Sequence, residues 1–196
     1  MTVIDWPQFL EKGLPVVFTE DGGGFKRFSS VTVGVFDGVH RGHQALIERV
    51  VSHNTDYVPV VVTFRENHKT GDEAADILSF KQKLAIFENL GVKLTIVIDF
   101  TESFRRMKGI EFLEILAKRG NIGFFTVGKN FRCGCRLDTD TDAIRNFFVS
   151  RNVQVEITDE VTEGSLPISS SRIRAAIADG NLQLAQSMLG RPIDRT

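Results

Sequence analysis

Five short apolar runs, rich in β-branched and aromatic residues, recur along this chain: Val31 to Phe36, Tyr57 to Phe64, Lys93 to Ile98, Ile122 to Val127 and Val153 to Ile157. Runs of this length and composition suit buried strands. Helical patterns fill most of the intervals between them, and alternation of that kind points to an α/β fold with a five-stranded, mostly parallel sheet and helices on both faces.

The helices carry their own punctuation. Gln44 to Val51 switches to helical spacing directly after the first run. The segment Phe80 to Leu90 has Ser79 as N-cap, Gln82 as its capping-box partner and Gly91 as a stop. Further helices are predicted over Gly109 to Arg119 and Asp140 to Asn152, the latter burying Ile144, Phe147 and Phe148. At the start, Asp5 caps a short helix through Trp6-Pro7-Gln8-Phe9-Leu10, ahead of a strand near Pro15 to Phe18, and Gly22-Gly23-Gly24 reads as a flexible connector. The tail carries two short helices, Ser170 to Ala178 and Leu182 to Leu189, punctuated by Gly180 and Gly190. A chain of 196 residues is near the size of one ordinary domain. Residues 1–192 are therefore expected to form one domain, with 1–30 as an N-terminal extension, 168–192 as a small C-terminal helical appendage and 193–196 as a tail.

Composition narrows the class of partner. Hydrophobic residues make up 42% and charged residues 25%, and no apolar run approaches the roughly 20 residues that span a bilayer. The first residues lack a basic region followed by an apolar stretch, so no secretory signal is read and a cytoplasmic protein is expected. A net charge of −1 gives no global reason to bind nucleic acid, yet leaves small anions open. Cys133 and Cys135 are too few for a zinc site and too close in sequence for an easy disulfide, so free thiols are expected.

The first run ends in Gly34-Val35-Phe36-Asp37-Gly38-Val39-His40-Arg41-Gly42-His43-Gln44. A glycine-rich turn feeding a helix N-terminus is an anion site, because orphan N–H groups and the positive end of the helix dipole converge there. His40 and His43 add donors suited to a phosphate. The same residues would also suit a tight turn whose histidines bond only to backbone, or two ligands of a metal site whose third ligand is not evident nearby. A second constellation, Ile168-Ser169-Ser170-Ser171-Arg172-Ile173-Arg174, puts three hydroxyls and two guanidiniums at another helix start, where they can hold a polyphosphate or form a plain serine cap and a solvated basic face. The turn lies at the carboxyl end of a predicted strand, as do the loops Arg65 to Asp76 and Gly128 to Asp138. Ligands of open parallel sheets collect at such ends.

Together these segments resemble the nucleotidylyltransferase superfamily and, within it, the FMN adenylyltransferase module of bacterial riboflavin kinase/FAD synthetases. The landmarks run in order: Gly34 to Gln44, Val61-Val62-Thr63-Phe64, Val127-Gly128-Lys129-Asn130-Phe131-Arg132-Cys133-Gly134, Ile168 to Arg174, and Met188-Leu189-Gly190-Arg191-Pro192. The chain departs from the pattern in three places. Arg65-Glu66-Asn67-His68-Lys69 replaces an acidic Pro-His-Pro loop lining the flavin pocket, Cys133 replaces an aromatic, and Ser171 stands where threonine is common. The family continues after Gly-Arg-Pro into a riboflavin kinase barrel, whereas this sequence stops at Thr196, so riboflavin kinase activity is expected to be missing.

The resemblance implies a Rossmann-like nucleotidylyltransferase fold and the reaction of ATP with FMN to give FAD and pyrophosphate by direct in-line transfer. It implies His40, His43, Ser170 and Arg174 as catalytic residues. Gly34, Val35, Phe36, Asp37, Gly38, Gly42, Gly128, Ile168, Ser169, Ser171 and Arg172 would bind ATP, and Phe64 and Asn130 would bind FMN. Magnesium would accompany the ATP phosphates with few protein ligands; Asp37 is a contributor or a turn-capping carboxylate, and Phe64 a pocket wall or a core residue. Flavoproteins would take up the FAD. Two other readings stand beside this one: adenylyl transfer to a different phosphate monoester, and a nucleotide- or flavin-binding protein that does not catalyse.

Overall fold

The computed structural model describes residues 1–15, 17–18, 25–26, 28–53, 55, 57–65 and 76–193. The chain opens with β1 (Thr2–Asp5) and α1 (Trp6–Lys12), then a two-residue antiparallel pair, β2 (Val17–Phe18) and β3 (Phe25–Lys26). The main body follows as β4 (Phe28–Val33), α2 (Arg41–Ser52), β5 (Tyr57–Phe64), α3 (Phe80–Asn89), β6 (Leu94–Ile98), α4 (Glu102–Arg106), α5 (Gly109–Gly120), β7 (Ile122–Gly128), α6 (Thr141–Val149) and β8 (Gln154–Thr158). A small hairpin, β9 (Thr162–Glu163) with β10 (Leu166–Pro167), leads to α7 (Ser170–Ala178) and α8 (Leu182–Leu189).

The main sheet has six strands rather than five, in the order β1-β6-β5-β4-β7-β8, and every neighbouring pair is parallel. The additional strand is β1, pairing along β6 from Thr2 opposite Leu94 to Asp5 opposite Val97. Four residues on a half-exposed edge, running straight into the Asp5 helix cap, are too few to show a strand period. The strand expected near Pro15 to Phe18 is described at β2, while residue 16 and Gly22 to Gly24 lie outside the described residues. The run Val31 to Phe36 divides: its strand starts earlier, at Phe28, and ends at Val33, because Phe36 adopts a left-handed backbone and turns the chain.

Strand β5 shows why these runs are apolar throughout. Val58, Val60, Val62 and Phe64 pack on one face with Trp6 and Phe9 of α1, Phe112 and Leu116 of α5, and Phe147 and Phe148 of α6. Val61 faces the other way, toward Ile47 of α2 and Phe87 of α3. Each fully buried Val, Ile or Phe contributes roughly 1.5–3 kcal/mol, so both faces hold the sheet between helices. Where α2 lies close to β4, small hydroxyl residues replace large apolar ones, and Ser30 Oγ donates to the Val50 carbonyl at 2.8 Å. The two C-terminal helices form a third cluster around Ile168, Ile173, Ala185 and Met188.

The predicted caps at Asp5 and Ser79 are present, each in a capping box, with Gln8 at α1 and Gln82 at α3; Asp140, read as the first residue of a helix, instead caps α6. Helix α4 was not expected; five residues capped by Thr101 leave too little periodicity to read. Strands β4, β5 and β6 are laid down in one direction and β7 and β8 in the other, so strand order reverses between β4 and β7. Open parallel sheets bind ligands outside the carboxyl ends of the strands at that reversal.

Candidate active site

At the reversal, the chain leaving β4 makes a turn that few sequences tolerate. Phe36, Gly38 and Val39 all have positive φ, at 54°, 75° and 38°. Only glycine takes such values without strain, and a β-branched valine resists them most. The turn is held by remote donors, one carbonyl after another. Val35 accepts from Thr63 Oγ1 at 3.2 Å and Lys83 Nζ at 3.3 Å, and Asp37 from Ser170 Oγ at 2.9 Å. Gly38 accepts from Arg191 Nη2 at 2.6 Å, and Val39 from Arg191 Nη1 at 3.1 Å and Gln44 Nε2 at 2.8 Å. In a trans peptide the N–H points away from the preceding carbonyl, so engaging the carbonyls from behind turns amide edges the other way.

The Asp37 side chain completes the frame. Its buried carboxylate accepts from the Ile77 amide at 3.1 Å and pairs with the Arg174 guanidinium. Burial pushes this carboxyl above its usual range, opposed by the Ile77 hydrogen bond and by Arg174. Asp37 thus ties the turn to α7 and to the segment ahead of α3.

His40 caps α2, its Nδ1 accepting the His43 amide at 3.3 Å. A ring nitrogen that accepts from an N–H carries no proton, so the proton of the neutral imidazole sits on Nε2. Burial, aided by the Arg191 charge, pushes the His40 pKa down to about 4. His40 is therefore a neutral donor near pH 7. His43 stacks on it with ring centroids 3.6 Å apart and meets the edge of Phe36 at 5.2 Å. Gly42 makes the stack possible, since a Cβ there would lie 3.2 Å from His40 Cε1.

A cavity of about 600 Å³ opens over this turn. It gathers Gly34, Val35, Phe36, Asp37, His40, Gly42 and His43 from the turn, Gly128 and Asn130 from beyond β7, and Ile168, Ser169, Ser170, Ser171 and Arg174 around the start of α7. The turn and the start of α7, more than a hundred residues apart in sequence, line the same cavity. Two of the expected ATP residues do not line it. Gly38 faces Ile77, whose Cδ1 would be 2.9 Å from an added Cβ. Arg172 is carried to another side of α7 by the helical repeat and donates to the carbonyls of Leu166 and Pro167 at 2.8 and 2.5 Å.

The other part of the cavity is largely aromatic, with the Arg105 guanidinium over the Phe100 ring. Phe64 lines it together with Phe100, Phe104, Met107, Phe112 and Phe131, and Phe64 packs edge-on against Phe100 and Phe104. Phe64 is both core and wall, with 9% of its surface exposed. Asn130 sits on the rim, its amide donating to Glu160 at 2.5 Å. Cys133 also lines the cavity; burial pushes its thiol up to about 12, and both cysteines are free. In the altered loop, Arg65 pairs with Asp99 at 2.7 Å and lies over the Phe80 ring, while residues 66–69 fall outside the described residues. Sequence reasoning missed Phe100, Phe104, Met107, Phe112, Lys83 and the clamping role of Arg191. A cluster of aromatics following the carboxyl end of β6, and a lysine on the apolar stripe of α3, were the available signals.

Among the described residues no three His, Cys, Asp or Glu side chains converge as a metal site, and no helix is long and apolar enough to cross a membrane. Residues 25–172 match the FAD synthetase family. The chain is 31% identical over 169 residues to the bifunctional riboflavin kinase/FMN adenylyltransferase of Escherichia coli K12, covering 83% of this chain and 54% of that protein. It is 32% identical over 167 residues to the corresponding protein of Pseudomonas fluorescens, covering 82% and 54%. It thus spans about half the length of these curated relatives. Among solved structures, a Streptococcus pneumoniae protein described as a macrolide-efflux protein aligns with a TM-score of 0.80 at 28% identity, over 98% of this chain and 61% of that one. A Francisella tularensis pantoate-β-alanine ligase, solved with β-γ ATP and β-alanine, shares the fold with a TM-score of 0.56 at 14% identity, over 97% and 85%. By the family match over residues 25–172, most of its length, this chain belongs to the FAD synthetase family.

Proposed function

We propose that the chain is an FMN adenylyltransferase, joining ATP and FMN into FAD with release of pyrophosphate. The observation that carries this reading is the two-ended cavity: polar turn, histidine pair and Ser/Arg helix start at one end, an aromatic box at the other. Its volume lies within the usual range for small-molecule sites. A polyphosphate suits the first end and a flat aromatic ring the second.

A phosphate oxygen of FMN attacks the α-phosphorus of ATP, the bond from that phosphorus to the bridging oxygen breaks, and pyrophosphate leaves with the electron pair. The nucleophile is already an anion, so positioning and charge stabilisation dominate over general-base catalysis. His40 supplies a neutral Nε2–H donor, and His43 beside it a second imidazole, to the phosphates where charge builds. Ser170, Ser171 and Arg174 receive the β- and γ-phosphates. Arg174 has five N–H donors and shares one nitrogen with Asp37, so it can hold the turn and a phosphate together. Asn130 and Phe64 stand on the acceptor side. Magnesium would accompany the ATP phosphates and neutralise part of their charge; among the described residues no three His, Cys, Asp or Glu side chains converge to hold it, and the Asp37 carboxylate is engaged by Arg174 and the Ile77 amide.

Incubation of the protein with magnesium, ATP and FMN, followed by chromatography for FAD, tests the reading, with nicotinamide mononucleotide and phosphopantetheine as competing acceptors. FAD as the sole adduct supports it. Adenylylation of another acceptor but not FMN reassigns the substrate, and FMN bound without product reassigns the chain as a binding protein.

A further inference from the structure

One buried charge takes no part in the chemistry above. Lys83 lies on the apolar stripe of α3 formed by Phe80, Lys83, Leu84 and Phe87, and is only 6% exposed. Its ammonium donates to the carbonyl of Phe64 at 2.8 Å and to that of Val35 at 3.3 Å. These carbonyls close the carboxyl ends of two neighbouring strands: Val35 opens the glycine-rich turn, and Phe64 ends β5 and walls the aromatic half of the cavity. Two elements that would hold different substrates are thus joined through one nitrogen.

A leucine or methionine would satisfy the stripe without burying a charge. Burial pushes the lysine down to about 8, while Asp76, ahead of α3, and Asp37, on the turn, pull it back up. Arg174 neutralises part of the Asp37 charge, and the Arg65 guanidinium shares the Phe80 ring, each cation lying 5.3 Å from its centroid. The charged form therefore persists at neutral pH in a place that disfavours it, held by two carbonyls and two carboxylates.

We propose that Lys83 is a positioning residue for adenylyl transfer, its ammonium fixing the glycine-rich turn against the end of β5 and so setting the separation of the nucleotide and acceptor halves. The proposal rests on the FMN adenylyltransferase reading above. A displacement of about 1 Å between reacting groups can cost on the order of 100-fold in rate; Lys83 spans the two from α3, alongside Thr63 of β5, whose Oγ1 donates to the same Val35 carbonyl at 3.2 Å.

The test compares the wild type with Lys83→Met and Lys83→Arg, measuring FAD formation against ATP and FMN concentration from neutral to alkaline pH, with urea melts alongside. Lys83→Met is expected to lose on the order of 100-fold in kcat while KM for each substrate moves far less, because every group that touches substrate is still present. Lys83→Arg is expected to recover much of the loss. Wild-type kcat is expected to fall as pH rises through about 8, whereas the Arg variant, which stays charged, is expected to keep its rate. Stability moves the other way: the folded amine binds its proton less tightly than the unfolded one, so wild-type stability rises between about 8 and 10.5. A lysine that merely fills space would show that rise without the fall in kcat.

Full kcat in Lys83→Met, or kcat–pH profiles that coincide for wild type and Lys83→Arg, overturns the proposal. If the Met variant fails to fold, the two pH profiles decide. A wild type that makes no FAD overturns the functional reading and this one with it, an outcome plainly different from a wild type and a Met variant that work equally well.

Discussion

Replacing His40 with asparagine isolates the electrostatics of the turn. Asparagine caps helices as well as any residue, so the His43 amide keeps an acceptor while the titrating group disappears. The wild-type imidazole has its pKa pushed from 6.5 to about 4, chiefly by burial and secondly by Arg191. Below 6.5 the unfolded chain gains a proton that the folded chain refuses, so stability is full above that pH and declines as pH falls toward 4. At about 1.4 kcal/mol for each tenfold change in proton affinity, the gap sets a loss of up to about 3 kcal/mol. The site is only 6% exposed, so solvent screening removes little of it. Asp37, whose carboxyl is raised by burial, acts with the opposite sign in the acid range and cancels when the two proteins are compared at each pH. Urea unfolding from pH 7 down to about 4 should show the wild type losing about 3 kcal/mol more than His40→Asn. Parallel stability curves would refute both the buried neutral imidazole and its role as an Nε2–H donor.

Three further substitutions probe the same site. His43→Ala should lower kcat by about 10²–10³-fold, as loss of a transition-state donor does, while stability moves by only about 1 kcal/mol; turnover near wild type would remove the assigned role. Arg191→Met takes the donor from the Gly38 carbonyl and one of two from Val39, which predicts a loss of about 3 kcal/mol in denaturant melts and a rise in the His40 pKa by NMR titration. Gly42→Ala puts a methyl 3.2 Å from His40 Cε1 and should reduce FAD formation more than it reduces stability, with His40 ring signals shifted in the spectrum.

Much of this was legible in the sequence where one residue type has one physical job. Consecutive valines in β5 need two apolar faces, Ser79 and Gln82 announce a capping box, and a glycine-rich turn with two histidines needs a helix start behind it. Strand β1 escaped because four edge residues carry no period, and α4 because five residues carry no stripe. The run Val31 to Phe36 misled because apolar content says nothing about φ, and Phe36 spends its bulk covering the turn rather than extending the strand. Arg172 and Arg174 look alike in sequence, but two residues along a helix separates a guanidinium facing the cavity from one bonded to Leu166 and Pro167. The aromatic end of the cavity was hidden for a different reason: Phe100 and Phe104 meet Phe64 because β5 and β6 are neighbours, and pairing is a property of the sheet rather than of any segment.

The central claim is chemical, and a single product assay addresses it. Purified protein given magnesium, ATP and FMN should release FAD and pyrophosphate in equal amounts, with the yield collapsing in His43→Ala. FMN and ATP recovered unchanged from a protein that binds both, or the adenylyl group found on a different acceptor, would contradict it.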